Sequence, residues 1–371
     1  MMFYFGIEHE VAFLDNAGNF ADFSRTKFKD FCQIIDKLPF YPDDYPELRV
    51  GDAGIKKKRW YIEGFERFLD SEQVVECVPK GIEIRTTINS TIQDTITELF
   101  DSFSFLREVS LKFGYLPVLV SFNPYYDVFQ PNPPLNEYEI QRRKVSPEKQ
   151  TANIPMLTYG PDLNISVADL PVERVIDIGS KLTYYSPYIV PFSYTSPFYQ
   201  GKLWEGLSVR TFVRTGQRPA TMVFVKKRSE LIKSIPSLTK IARIPAEVGR
   251  IEFKAFDSCD DFSIYAALLA LLKGMVLDES LPGRAMIPDP ALHQLSAREG
   301  FSNESIFIHA GKILQAVEIS LAKDPDRELL TPLKHLLDKR ETPAHEMVRN
   351  FHKLGSIEET LKHTYLKNTS I

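Results

Sequence analysis

The feature that most restricts the folds open to this 371-residue chain is a local pattern that occurs three times. It stands at Gly6-Ile7-Glu8-His9-Glu10, at Gly81-Ile82-Glu83-Ile84-Arg85 and at Gly249-Arg250-Ile251-Glu252-Phe253-Lys254. Side chains two apart in a strand share a face. Glu8 with Glu10, Glu83 with Arg85, and Glu252 with Lys254 therefore each place two charges on one side. Ile7, Val11, Ile82, Ile84, Ile251 and Phe253 take the other side, which belongs to the core. A half-solvated sheet with cross-strand ion pairs would account for any single strand. Three strands with Glu at the same place ask for more, because converging carboxylates repel unless a cation neutralises them. Magnesium, typically held by a few carboxylates plus substrate phosphates, suits that task. Glu76, seven residues before Glu83, is expected to join across a tight turn at Pro79-Lys80-Gly81. The sheet would then be a metal-bearing floor fit for phosphoryl transfer.

Further runs rich in Ile, Val, Phe and Tyr predict strands at Met2 to Leu14, Gln73 to Val78, Ile82 to Ile88, Leu116 to Phe122, Leu163 to Val167, Leu207 to Val213 and Arg250 to Phe256. Most do not alternate with helices, which points to an antiparallel or mixed sheet. Helical spacing marks Ser90 to Phe113, Pro171 to Pro187, Asp261 to Leu277, Asn303 to Lys323 and Asp326 to Lys339. The expected fold is α+β in one large catalytic domain, with a sheet-bearing part over residues 1–257 and a helical layer over 258–371. Leu38 to Phe65 and Phe129 to Tyr159 read as long mobile loops.

The 45 basic and 49 acidic residues give a net charge of −4, which excludes wholesale binding of nucleic acid. Local runs at Lys56-Lys57-Lys58-Arg59 and Lys226-Lys227-Arg228 leave only a local polyanion patch. Cys32, Cys77 and Cys259 are far apart and odd in number, so neither a disulfide framework nor a Cys zinc site is expected. The apolar N-terminus lacks a basic n-region, and the run Ile264 to Leu277 is too short to span a membrane. The expectation is a cytoplasmic protein without a membrane partner; a homo-oligomer stays open. There is no P-loop, no G-x-G-x-x-G and no G-x-S-x-G, and His9-Glu10 and His345-Glu346 lack the second His of a zinc-protease motif. Any nucleotide must be held in another kind of site.

A second constellation lies at Ser193 to Pro219, where Arg210, Arg214 and Arg218 recur at intervals of four among small polar residues. Such guanidinium groups suit bidentate binding of a carboxylate or phosphate, although a solvated surface would show the same spacing.

Taken in order, these segments resemble the bacterial glutamate-cysteine ligase and carboxylate-amine ligase family of the glutamine-synthetase-like superfamily. The resemblance runs through Gly6-Ile7-Glu8-His9-Glu10, Ile82-Glu83-Ile84-Arg85-Thr86 and Ser196-Pro197-Phe198-Tyr199-Gln200-Gly201. It continues through Arg210 and Arg214, Glu252-Phe253-Lys254 with Asp257, and more weakly Ala297-Arg298-Glu299-Gly300-Phe301. It covers most of the chain.

The resemblance implies an antiparallel sheet forming an active-site funnel of glutamine-synthetase type, with flanking helices, ATP and two or three Mg2+ ions. It implies that the γ-carboxylate of glutamate is phosphorylated and an amine then displaces phosphate, with cysteine as the favoured acceptor, as in glutathione biosynthesis. Glu8, Glu10, Glu76, Glu83 and Glu252 would be metal ligands. Arg210 and Arg214 would hold the substrate carboxylate and the phosphoryl group, with Glu252 beside them, and Lys254 would face the nucleotide. Two departures bear on the acceptor and the activity. Leu163-Asn164-Ile165-Ser166-Val167 stands where many relatives have H-x-H-x-G, leaving Asn164 and Ser166 as the nucleotide or metal contacts, and Lys254 stands where Arg is common. The alternatives are a different amine, a guanidino acceptor as in phosphagen kinases, or a member that binds nucleotide or amino acid without turnover.

Overall fold

The computed structural model describes residues 1–44, 57–145 and 147–366. Lys56 and much of the first expected loop lie outside the described residues. Among the described residues an eight-stranded, curled sheet runs in the order β2-β3-β1-β5-β10-β8-β9, with β4 also paired to β1. The strands are β1 (Phe3–Leu14), β2 (Trp60–Phe68), β3 (Val74–Arg85), β4 (Leu116–Val118), β5 (Asp162–Val167), β8 (Thr221–Val225), β9 (Thr239–Ile241) and β10 (Ile251–Phe253). All pairings are antiparallel except β8 with β9. A small hairpin, β6 (Phe198–Tyr199) and β7 (Lys202–Leu203), stands apart.

The alternation along β1 is the sheet's clearest sequence signal. Phe3, Phe5, Ile7, His9 and Val11 are buried, whereas Tyr4, Gly6, Glu8 and Glu10 are half-exposed on the opposite face. The buried face packs on helices α1 (Phe28–Lys37), α2 (Ile92–Lys112), α5 (Val172–Ile189) and α7 (Phe262–Leu277) in one large apolar cluster. Helix α7 is apolar on every side and almost wholly buried, which is what a central core helix requires. It packs against α2, α9 (Glu304–Ser320) and α10 (Thr331–Asp338). Helices α8 (Pro290–Glu299), α11 (Pro343–Leu354) and α12 (Ile357–Lys362) complete the C-terminal part, in which every element after Phe253 is helical. No helix among the described residues is long and apolar enough to cross a membrane.

Three expectations are corrected. Pro79-Lys80-Gly81 forms no turn: β3 runs unbroken from Val74 to Arg85, and its register with β2 shifts at a bulge between Glu63 and Gly64 and again between Arg67 and Phe68. A Cβ on Gly64 would lie 2.2 Å from the Val78 carbonyl, so the bulge admits only glycine. Leu207 to Val213 is not a strand. Ser208 caps helix α6 (Val209–Arg214), accepting from the Thr211 N–H, and the cap outweighs the β-branched composition. The two long loops carry structure as well: Trp60 to Phe65 belongs to β2, and the second holds α3 (Glu137–Arg143) and α4 (Pro147–Gln150). Helix α3 has an Asn136/Glu139 capping box, and its Glu139 pairs with Arg67 of β2.

Candidate active site on the sheet's polar face

Strand register brings the carboxylates together. Glu10 stands opposite Glu83, Glu8 opposite Asp162, and Asn164 opposite both Gly6 and Glu252. The acidic side chains fall into two neighbouring triads, Glu8-Asp162-Glu252 and Glu10-Glu63-Glu83. In each, one oxygen from every residue lies within 4.8 Å of the others. Glu8, Glu10, Glu83 and Glu252 were expected there. Glu76 is not among them: with no turn at Pro79-Lys80-Gly81 it stays exposed on β3, in register with Arg67 and about 20 Å from Glu83 at the rise of an extended strand. Glu63 of β2 takes the place expected of it, and Asp162 is the second acid the sequence reading missed. Both had signals. Tyr61-Ile62-Glu63-Gly64 is a fourth Ile-Glu pair, and Asp162, Asn164 and Ser166 alternate into one face.

Electrostatics shows that the floor holds more negative charge than its own cations can settle. Burial, reinforced by Glu252 and Asp162, raises the Glu8 carboxyl to about 7. Burial likewise raises Glu63 to about 8, against the pull of Lys80. Glu83 is pushed well up by burial and by Glu8 and Glu63. Glu252 goes the other way, to about 2, because Lys254 and Arg250 overcome its burial. Lys254 bridges the first triad, 3.0 Å from Glu252 and ion-paired with Asp162, while Arg250 lies 3.5 Å from both Glu8 and Glu252. Lys80, almost wholly buried, sits 3.0 Å from Glu10. The Asn164 amide oxygen is buried without a partner between the two strands that carry Glu8 and Glu252. Hard oxygen donors, surplus negative charge and an orphaned carbonyl oxygen are the donor chemistry that suits a divalent cation.

Opposite the carboxylates stand the arginines. Spacing of four puts Arg210 and Arg214 on one face of α6, and both are buried. Arg210 donates to the carbonyls of Lys254 (3.0 Å) and Ala255 (3.2 Å), which leaves its Nε unpartnered. Burial and the nearness of Arg210 and Arg218 weaken the hold of Arg214 on its proton, partly offset by Asp162 and Glu10. The Gly160 N–H donates to Glu10 at 2.8 Å, and the Arg210 guanidinium occupies the space beside Gly160, 2.1 Å from where a Cβ would lie.

A buried clamp aims α6. Asp257 accepts from the Ser196 hydroxyl (2.7 Å), the Ser208 hydroxyl (3.0 Å) and the Thr195 N–H (3.0 Å), and lies 3.8 Å from Arg210. The Ala297 carbonyl accepts from Leu207 and Ser208. The Ser196 to Gly201 and Ala297 to Phe301 segments thus serve the site by holding the start of the arginine helix.

A cavity of about 640 Å³ opens over the first triad. Glu8, Asp162, Asn164, Ser166 and Glu252 form its floor, Lys254, Arg250 and Arg85 line it, and Ile88, Val167, Ile244 and Val248 give it an apolar part.

No protein-family model and no curated protein matches the chain. Solved structures do. A bifunctional glutathione synthetase from Pasteurella multocida superposes with a TM-score of 0.62 at 11% identity, over 99% of this chain and 52% of that one. Glutamate–cysteine ligase from Francisella tularensis, solved with AMP, gives 0.59 at 11% identity, over 100% and 90%. The ligase PafA, solved with the ubiquitin-like protein Pup, gives 0.50 at 10%, over 97% and 66%. The chain spans about half the length of the Pasteurella enzyme and about two thirds of the PafA complex chain. At these identities the likeness is one of fold: the chain shares the fold of the glutathione synthetase, the glutamate–cysteine ligase and PafA.

Proposed function

We propose that the protein is an ATP- and Mg2+-dependent carboxylate–amine ligase. The observation that carries this reading is the meeting, on one sheet face, of two carboxylate triads and the α6 arginines. Glu8, Asp162 and Glu252 would hold one Mg2+, with Asn164 beside them, and Glu10, Glu63 and Glu83 another. Bound Mg2+ would neutralise the phosphates and align the transferring group. Lys254, Arg250 and Ser166 would meet the nucleotide in the 640 Å³ cavity, whose apolar part suits a base.

Arg210 and Arg214 would hold the substrate carboxylate and take up charge on the phosphoryl group as it moves. In the first step the terminal P–O bond of ATP breaks and a carboxylate oxygen bonds to phosphorus, giving an acyl phosphate and ADP. In the second an amine nitrogen bonds to the acyl carbon, the C–O bond breaks, and the amine gives up its proton as phosphate leaves. No nucleophile from the protein is needed; positioning and charge neutralisation carry the reaction. Glutamate and cysteine are the substrate pair favoured by the sequence resemblance, and by the glutamate–cysteine ligase among the fold's relatives.

The test is phosphate release from ATP across a panel of carboxylates and amines, guanidino compounds included. Release that requires a carboxylate, an amine and Mg2+ together is the expected result. Release unchanged in excess chelator, or with no dependence on a carboxylate, would refute the reading.

A further inference from the structure

A second cavity, of about 730 Å³, lies on the same polar side of the sheet, between β2 and the β8–β9 edge and roofed by α3 and α4. Its charge is its outstanding property. Arg142, Arg143, Lys149, Arg218, Lys240 and Arg243 line it. Three acids line it too, Glu66, Glu139 and Glu148, half the number of the cations. Glu139 is fully engaged elsewhere, gripped by Arg67 through two bonds of 2.8 and 3.1 Å and by the N–H groups of Phe68 and Asn136. Glu148 accepts weakly from the Ser237 N–H at 3.4 Å. Glu66 reaches Arg142 at 3.9 Å, and the Glu148 charge acts on Arg218 and Lys240.

Three of the six cations are held in place by contacts of their own. Arg142 stacks 4.3 Å above the Phe68 ring and Arg143 4.0 Å above the Phe65 ring. Arg218 donates to the Glu148 carbonyl (2.8 Å) and the Thr151 hydroxyl (3.2 Å). The Nε atoms of Arg143 and Arg218 are buried without a partner, a state that costs free energy unless a ligand supplies an acceptor. Burial lowers the proton affinity of Lys149, and repulsion from Arg142, Arg243 and Arg143 lowers it further, so these groups crowd one another. Lys240 and Arg243 line this cavity and the first one, and the two therefore adjoin.

We propose that this second cavity binds a small molecule carrying two or more anionic groups, carboxylate or phosphate, and that an amine of this kind, in place of cysteine, is the second substrate. The word substrate rests on the ligase reading above; the binding does not. Guanidinium groups fixed by ring stacking favour planar, bidentate acceptors, and several of them together favour an anion with more than one such group.

The test is calorimetric titration of the full chain, without ATP, using tricarballylate and pyrophosphate as the two polyanion probes and acetate as the monoanion. At least one polyanion is expected to bind ten times or more tightly than acetate, and the preferred probe tells carboxylate from phosphate. The double variant Arg143→Gln with Lys149→Gln should lose at least tenfold of that affinity, as should Arg243→Gln, an exposed position whose change leaves the fold intact. ATP-Mg2+ binding to the double variant should stay within twofold of the unmodified chain. Equal affinity for acetate and both polyanions, polyanion binding untouched by either variant, or simple competition between polyanion and ATP-Mg2+ would overturn the proposal. Polyanion binding as expected, with phosphate release for cysteine but for no polyacidic amine, would overturn the substrate assignment and leave the anion site and the ligase reading standing; no release with any amine would refute the ligase reading alone.

Discussion

At the scale of the residue, the account turns on carboxylates that lie too close to be charged together without help. Glu8 and Glu63 have folded-state pKa values of about 7 and 8, above the ordinary 4.5. The metal-free folded protein therefore binds more protons than the unfolded chain between roughly pH 4.5 and 8, and linkage makes these groups' contribution fall as pH rises through that window. Melting followed from pH 5 to pH 8 in chelator should show this loss of stability, and Mg2+ should restore it most at the upper end. Affinity for Mg2+ should in turn rise with pH and level off above about 8, since the ion displaces those protons. Glu63→Gln and Glu83→Gln each separate function from stability. Either should cut turnover by about a hundredfold or more, the scale of losing one fixed electrostatic contact to the transition state, while the metal-free melting temperature holds or rises. A variant that unfolds in chelator would show instead that the carboxylate was structural.

Two elements decide how those residues meet. Strand β1 carries Glu8 and Glu10 on one face and His9 between them on the other. His9 is completely buried, with Nδ1 2.8 Å from the Tyr265 hydroxyl and Nε2 2.8 Å from that of Tyr365. Burial pushes its pKa down to about 3, so the ring is neutral at physiological pH. His9→Phe would strand the Tyr365 hydroxyl and leave that of Tyr265 with the Cys259 N–H it accepts from, and should destabilise the protein by about 1–3 kcal/mol, the usual cost of one unsatisfied buried group. Chemical denaturation measures it. Helix α6 depends on its cap and on Asp257. Asp257→Asn keeps the volume but weakens the bonds to Ser196, Ser208 and Arg210, and should raise the KM for the carboxylate substrate more than it lowers kcat. An unchanged KM would mean that Asp257 does not position Arg210.

The same elements show what the sequence could tell. β1 and β10 were readable because their apolar and charged residues alternate without interruption. β2 went unread because Trp60 to Phe68 follows a basic run and carries a glycine bulge, although its Ile62-Glu63 pair repeats the signature of the other floor strands. α6 looked like a strand because Val209, Thr211 and Val213 alternate; its fate was decided by Ser208 and by docking on Ala297, a contact 89 residues from Ser208 that no local pattern reports. Glu76 was misplaced for a related reason, since Pro79-Gly81 has turn composition and only pairing with β2 keeps the chain extended there.

At the scale of the whole molecule, the sheet does two jobs with its two faces. One is sealed by α2, α5 and α7 into the main apolar core, which gives the strands a rigid backing. The other gathers Glu8, Glu10, Glu63, Glu83, Asp162 and Glu252 from five strands, no two of which need be close in sequence. A net charge of −4 concealed both this acidic floor and the basic cavity beside it. Runs of like charge were a poor guide by comparison: Arg59, from the most basic run, is spent on Asp44 and Glu98. The central claim, that this floor passes a phosphoryl group to a carboxylate, is tested most directly by following oxygen. With the substrate carboxylate labelled with 18O, each phosphate released should carry one labelled oxygen, transferred when the acyl C–O bond breaks. Phosphate released without label would contradict the account, since ATP would then be spent on water or on another acceptor.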